Sequence, residues 1–94
     1  MSAPSFVWDP KKAAGNLRKH GVGFPEATEV FRDRLARLRH DPDHSSDEDR
    51  WILLGVSLRD RVLVVVFTEE PGKIRVISAR RATRRERNAY EEEQ

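Results

Sequence analysis

The run Val62-Leu63-Val64-Val65-Val66-Phe67 limits the possible folds more than any other segment. It is apolar at every position, so it has no face suited to water. A half-exposed strand alternates apolar and polar residues; one without alternation is covered on both sides. The run therefore predicts a central strand. Trp51 to Leu58 is nearly all apolar and predicts a second strand. Ile74 to Ala79 predicts a third, alternating less cleanly. Glu70-Pro71-Gly72-Lys73 puts proline second and glycine third in a tight turn. Links this short join consecutive strands as an antiparallel meander.

Ahead of these strands the pattern changes. Phe6-Val7-Trp8 predicts a short first strand, with Trp8 as core. Asp9 and Pro10 supply an N-cap and a first-turn proline. The helix they begin runs to about His20 and stops at Gly21, with Lys19 and His20 suited to its C-terminal end. Its apolar face is thin, only Ala13, Ala14 and Leu17, and Gly15 weakens it. Such a helix depends on docking. Phe24, Ala27, Val30 and Phe31 share a face, which predicts a second helix over 24–31. Leu35 to Leu38 predicts an edge strand. The order β-α-α-β-β-β-β-α describes an α+β domain: a small antiparallel sheet, two N-terminal helices on one face, and a C-terminal helix. The 94 residues suit one domain, 1–94, with one modest core.

Charge is uneven along the chain. The net charge is only +2, yet residues 73–87 carry seven basic side chains and one acid. Residues 41–49 carry five acids. Thr83 and Glu86 have capping-box spacing, which starts a last helix near residue 84. Arg84 and Arg85 then occupy its positive end, while Glu91, Glu92 and Glu93 occupy its negative end. The macrodipole disfavours both arrangements. Charges placed against the needs of their own helix point to an outside partner, and a polyanion fits them. Arginine's planar fork matches phosphate oxygens. Arg80 and Arg81 point to opposite faces of a continuing strand, which lets Arg80 approach Arg84 across the strand–helix junction. Ion pairs with Glu86 and Glu91, or a solvated basic surface, are the plain alternatives.

A second cluster is Asn16, Lys19 and His20 on the first helix, where a lysine or histidine suits proton transfer. His20 equally suits a simple C-terminal role. Arg50 and Arg61 flank strands, and Arg59-Asp60-Arg61 reads as a turn. Asp41, Asp43, His44 and Asp47 raise the thought of a metal site. The segment lacks the glycine and final glutamate of a calcium loop, so a solvated hairpin loop is the better reading. No cysteine is present, which excludes disulfides and thiol chemistry and suits a cytoplasmic protein. No run approaches the ~18 apolar residues of a membrane span, and the start has no export signal. The sequence contains no phosphate loop and no nucleophile elbow.

Taken together, these segments resemble the BrnT family of bacterial toxins. The resemblance lies in Phe6-Val7-Trp8-Asp9, Lys12, Asn16 to Val22, Phe24, Glu48-Asp49-Arg50, Gly55-Val56-Ser57, Arg61 to Val66, Thr68, Ile74 to Arg80, Arg84 to Arg87 and Tyr90-Glu91. It spans about residues 6–92. The resemblance implies a RelE-like fold and a ribonuclease toxin of a type II toxin–antitoxin pair that stops translation. It also implies a BrnA-like antitoxin that forms a hetero-oligomer with the toxin and alone binds operator DNA. By motif, the functional positions fall on Lys19, Arg61, Arg80 and Arg84, with His20, Arg50 and Glu86 as lesser candidates. Where the family often has glycine, this chain has Asp60; where proline is common, it has Arg34.

That resemblance implies metal-independent RNA cleavage without a cofactor. Arg80 and Arg84 would clamp phosphate with support from Arg61, and Lys19 or His20 would move protons. Arg50, Arg81, Arg85 and Arg87 would attract RNA. Two other readings fit the basic segment: a nucleic-acid-binding module without catalysis, and a domain that binds an acidic protein.

Overall fold

The computed structural model describes residues 4–42 and 49–92. Chain order is β1 (Ser5–Val7), α1 (Pro10–His20), α2 (Phe24–Glu29), a 3-10 turn (Val30–Arg32), β2 (Arg37–His40), β3 (Trp51–Val56), β4 (Val62–Glu70), β5 (Lys73–Arg81) and α3 (Arg84–Glu92). The five strands form one sheet in the order β1-β5-β4-β3-β2. The apolar run lies in β4, at its centre. Strands β2 to β5 pair antiparallel, as the short links require. The exception is β1, which pairs parallel with β5. The chain between β1 and β5 runs through the helices and the other three strands, a long connection that permits parallel pairing.

Several boundaries differ from expectation for local reasons. The second helix ends at Glu29, and a tighter turn continues to Arg32. The edge strand starts at Arg37 rather than Leu35, because Asp33 holds a turn there. Its Oδ1 accepts from the Leu35 amide at 2.9 Å, and its carbonyl from Ala36 at 3.1 Å. β3 stops at Val56, since the Ser57 amide turns to the Arg61 carbonyl at 2.9 Å. The uneven alternation of β5 also has a cause. Between Val66/Phe67 and their partners Ser78/Val76 the register shifts, leaving Ile77 as a bulge. The bulge lets both Val76 and Ala79 point into the core.

Both N-terminal helices pack on one sheet face. Val22, Phe24, Ala27 and Val30 from that layer meet Leu53, Leu63, Val65, Phe67, Val76 and Ala79 from the sheet. Phe31 bridges Phe6 and Phe67 edge-to-face, with centroids 5.1 and 4.9 Å apart. Trp8 packs on Phe24 in the same way, confirming its core role. α1 is held as its ends predict: Asp9 accepts from the Lys11 amide at 2.8 Å, and Gly21 at φ 69° donates to the Leu17 carbonyl.

α3 is docked, despite its thin apolar content, through Tyr90. This residue is 6% exposed, and its hydroxyl donates to Asp33. Asp33 also accepts from the Val56 amide at 2.9 Å. The contact demands a close approach at Gly55, where an added Cβ would lie 2.8 Å from Val30 and 2.9 Å from the Asp33 carboxylate. Asp60 sits at φ 61°, the left-handed region that favours glycine. Aspartate is among the few other residues that enter it readily. The proposed acidic-loop residues Asp43, His44 and Asp47 lie outside the described residues. Asp41 is described and is buried. Among the described residues no helix is long and apolar enough to cross a membrane.

Candidate active site

The end of β5 and the start of α3 form a single electrostatic unit. Thr83 and Glu86 make the expected capping box: the Glu86 amide donates to Thr83 Oγ1 at 3.1 Å, and Glu86 Oε1 accepts from the Thr83 amide at 2.8 Å. Arg80 adds a bidentate pair, from Nη1 and Nη2 to the two Glu86 oxygens at 2.8 and 2.9 Å. These contacts hold the Glu86 carboxyl down at about 2, chiefly through Arg80. Arg80 Nη1 also donates to the Arg81 carbonyl at 3.2 Å. Across the junction, then, Arg80 meets Glu86. Guanidinium has a second fork, formed by Nε and the remaining Nη2 proton. Among the described residues nothing occupies that fork, and the Arg80 side chain is 40% exposed. The shape of that fork matches two oxygens of a phosphate.

Arg61 is also paired, on the other side of the sheet end. Its Nε and Nη2 grip Glu26 of α2, with Nε 2.9 Å from Oε2. Nη2 further donates to the Gly21 carbonyl at 3.2 Å, beside His20. Glu26 is buried, and Ser57 donates to it at 2.8 Å. Arg61 keeps the Glu26 carboxyl below the usual range, against the opposing effect of burial. The arginine thus fixes the end of α1 relative to α2. Its Nη1 remains for other contacts.

Asn16 is buried and faces β5, away from any substrate. Its amide donates to the Ala79 carbonyl at 2.7 Å and the Val22 carbonyl at 2.9 Å, and its oxygen accepts from the Ala79 amide at 3.1 Å. Two of these hydrogen bonds tie the helix to Ala79, the residue before Arg80. Lys19 and His20, on the turn after Asn16, are carried to the same end of the sheet. Lys19 is exposed and His20 half-buried, and neither has a partner among the described residues.

The remaining arginines divide by position. Arg84, Arg81, Arg85 and Arg87 are exposed around the start of α3. Arg50 does not join them. It precedes β3 at the opposite end, where its carbonyl accepts from Asp41. The six residues of β3 separate the two ends, roughly 20 Å at ~3.3 Å each. The expected cluster is therefore Lys19, His20, Arg61, Arg80 and Arg84 at one sheet end, with Arg80 on one face and Arg61, Lys19 and His20 on the other. Sequence reasoning missed Glu26 and the Asp33–Tyr90 contact. Their partners lie 35 and 57 residues away, so no local spacing announces them.

Comparison with known proteins bears on the family and the fold. Residues 8–86 match the model of the family described as "Ribonuclease toxin, BrnT, of type II toxin-antitoxin system". Among solved structures, the ribonuclease toxin BrnT of Brucella abortus superposes with a TM-score of 0.67 at 25% identity. The match covers 87% of this chain and all of that one. No curated protein matches the sequence significantly. The family match takes in most of the chain, which therefore belongs to the BrnT family of ribonuclease toxins.

Proposed function

We propose that this BrnT-family chain is a metal-independent endoribonuclease that inhibits translation in the cytoplasm. A BrnA-like antitoxin neutralises it and carries the operator-DNA contact, and the fold is of the RelE kind. The observation that carries the catalytic reading is the open Nε/Nη2 fork of Arg80, oriented by Glu86. A preorganised fork stabilises the extra negative charge of a phosphorane without reorganising during the reaction. Arg84 stands at the start of α3, where backbone amides also favour an anion.

In the reaction the RNA 2′-oxygen forms a bond to phosphorus, and the bond from phosphorus to the 5′-oxygen breaks. One group accepts the 2′-hydroxyl proton, and another protonates the leaving oxygen. Lys19 and His20, at the same sheet end but on the face opposite Arg80, are proposed for this proton traffic on RNA that wraps the end, because arginine is a poor base. Arg61 acts as a positioning residue through the Gly21 carbonyl. Arg81, Arg85 and Arg87 draw RNA in. Arg50, at the opposite sheet end, meets a distant part of a long substrate.

The test is incubation of a defined RNA with the purified protein and a metal chelator. Shortened products ending in a cyclic 2′,3′-phosphate are expected, and their loss when antitoxin is added. RNA that shifts in a gel without shortening would identify a binding module instead. A strict metal requirement would remove the proposed mechanism.

A further inference from the structure

Among the described residues no further strand pairs with β2, so the sheet ends on an edge there. All four of its residues are exposed. The Asp41 amide points inward, donating to the Arg50 carbonyl at 2.8 Å. Backbone direction alternates along a strand, so Arg37 and Arg39 also face β3. Leu38 and His40 turn their amide and carbonyl groups outward. Side chains alternate too. Arg37 and Arg39 oppose Leu54 and Ile52 on the α3 side of the sheet. Leu38 opposes Leu53 on the other side and is 56% exposed.

We propose that β2 receives an extended, acidic segment of the antitoxin as a sixth strand, with acids opposite Arg37 and Arg39 and an apolar side chain opposite Leu38. Its partner identity rests on the toxin–antitoxin reading; its chemistry rests on the edge. Outward amides give affinity in strand addition, and alternate side chains give specificity. Arg39 makes no ion pair among the described residues, so an incoming acid meets an available cation. A second copy of this chain is a poor occupant, since pairing β2 with itself brings arginines together.

The adjoining surface favours protein over RNA. On the α3 side, a groove with an apolar floor of Ile52, Leu54 and Val64 runs from β2 to α3, walled by Ala89, Arg85 and the β2 arginines. No aromatic ring lines it, whereas single-stranded nucleic acid sites use rings as stacking platforms. Aliphatic side chains fit such a floor. The groove also reaches Glu86, the residue that orients Arg80. A segment that continues from β2 into the groove comes to lie against Glu86, and so beside the ion pair that orients Arg80.

The experiment uses the full chain and a labelled synthetic peptide of alternating glutamate and valine. Binding is expected, with amide hydrogen exchange slowed at Leu38 and His40. A peptide of the same composition with its glutamates and valines in separate blocks should bind at least about tenfold more weakly. Leu38→Pro removes an outward amide and leaves the β2–β3 ladder intact, as proline is tolerated in that position on an edge strand. It should abolish binding. Arg39→Glu, which keeps the backbone, should weaken binding at least about tenfold. Equal binding of both peptides, protection elsewhere, or protection of the same amides by oligouridylate instead of peptide would overturn the proposal, as would concentration-dependent self-association through β2. RNA cleavage is measured separately on the same samples. Peptide binding by a protein that cuts no RNA would sink the ribonuclease reading and leave the docking edge standing. Cleavage by wild type and Leu38→Pro alike, without peptide binding, would do the reverse.

Discussion

Glu86→Gln separates the two tasks of Glu86. Glutamine still serves a capping box, so the helix start is retained. Only the ion pair with Arg80 is lost. Arg80 and the cap lower the Glu86 carboxyl from 4.5 to about 2. That difference corresponds to about 3 kcal/mol at 1.36 kcal/mol per pH unit. Solvent screens the pair, with Arg80 40% and Glu86 28% exposed, so about 1.5–2 kcal/mol is expected. The sign follows from linkage. The folded-state value is depressed, so the stabilisation is complete above about 4.5. It is lost as pH falls from there toward about 2. Urea denaturation of wild type and variant should therefore show a gap near neutral pH that narrows in acid. A gap that stays constant between neutral pH and about pH 3 would refute the assignment to a charged pair.

Other perturbations test the supports of the site. Tyr90 is the chain's single tyrosine, and burial with its bond to Asp33 pushes it up to about 12. Ultraviolet titration of the phenolate should follow that value, and stability should decline as pH rises from 10 to 12; a midpoint near 10 would mean that α3 is undocked. Gly55→Ala should cost about 1–3 kcal/mol in chemical denaturation, since its Cβ would press on Val30 and Asp33. A neutral result would show that the approach relaxes freely. Asp60→Gly should raise stability by about 0.5–1 kcal/mol by relieving the positive φ, and thermal unfolding that falls instead would show that the aspartate has a compensating contact.

How much the sequence revealed depended on the range of each interaction. Asp9, Pro10 and Gly21 bounded α1 correctly because caps act within one turn. Thr83 and Glu86 bounded α3 for the same reason. The central position of β4 followed from its lack of a polar face. Less was visible where a distant side chain decided the outcome. Asp33 shortened the segment before β2, and Ile77 broke the period of β5. β1 joined the sheet in parallel because its partner lies at the far end of the chain. In the site, the residue types pointed to anion chemistry, and the strand–helix junction placed Arg80. The partner of Arg61 stayed hidden, because Glu26 looked like an ordinary first-turn acid of a helix. Arg50 was grouped with the others by charge and by motif, neither of which tells which end of a strand it occupies.

Loss of cleavage in Arg80→Ala and Arg84→Ala is the most direct test of the central claim. Each purified variant is first shown to be folded by its thermal transition. Its rate on a defined RNA is then measured in the presence of chelator. The fork of Arg80 should be worth about 10²–10³ in rate. Arg84→Ala should lose activity too, and the double variant should no longer arrest growth. Folded variants that cut RNA at the wild-type rate would show that the chemistry lies elsewhere.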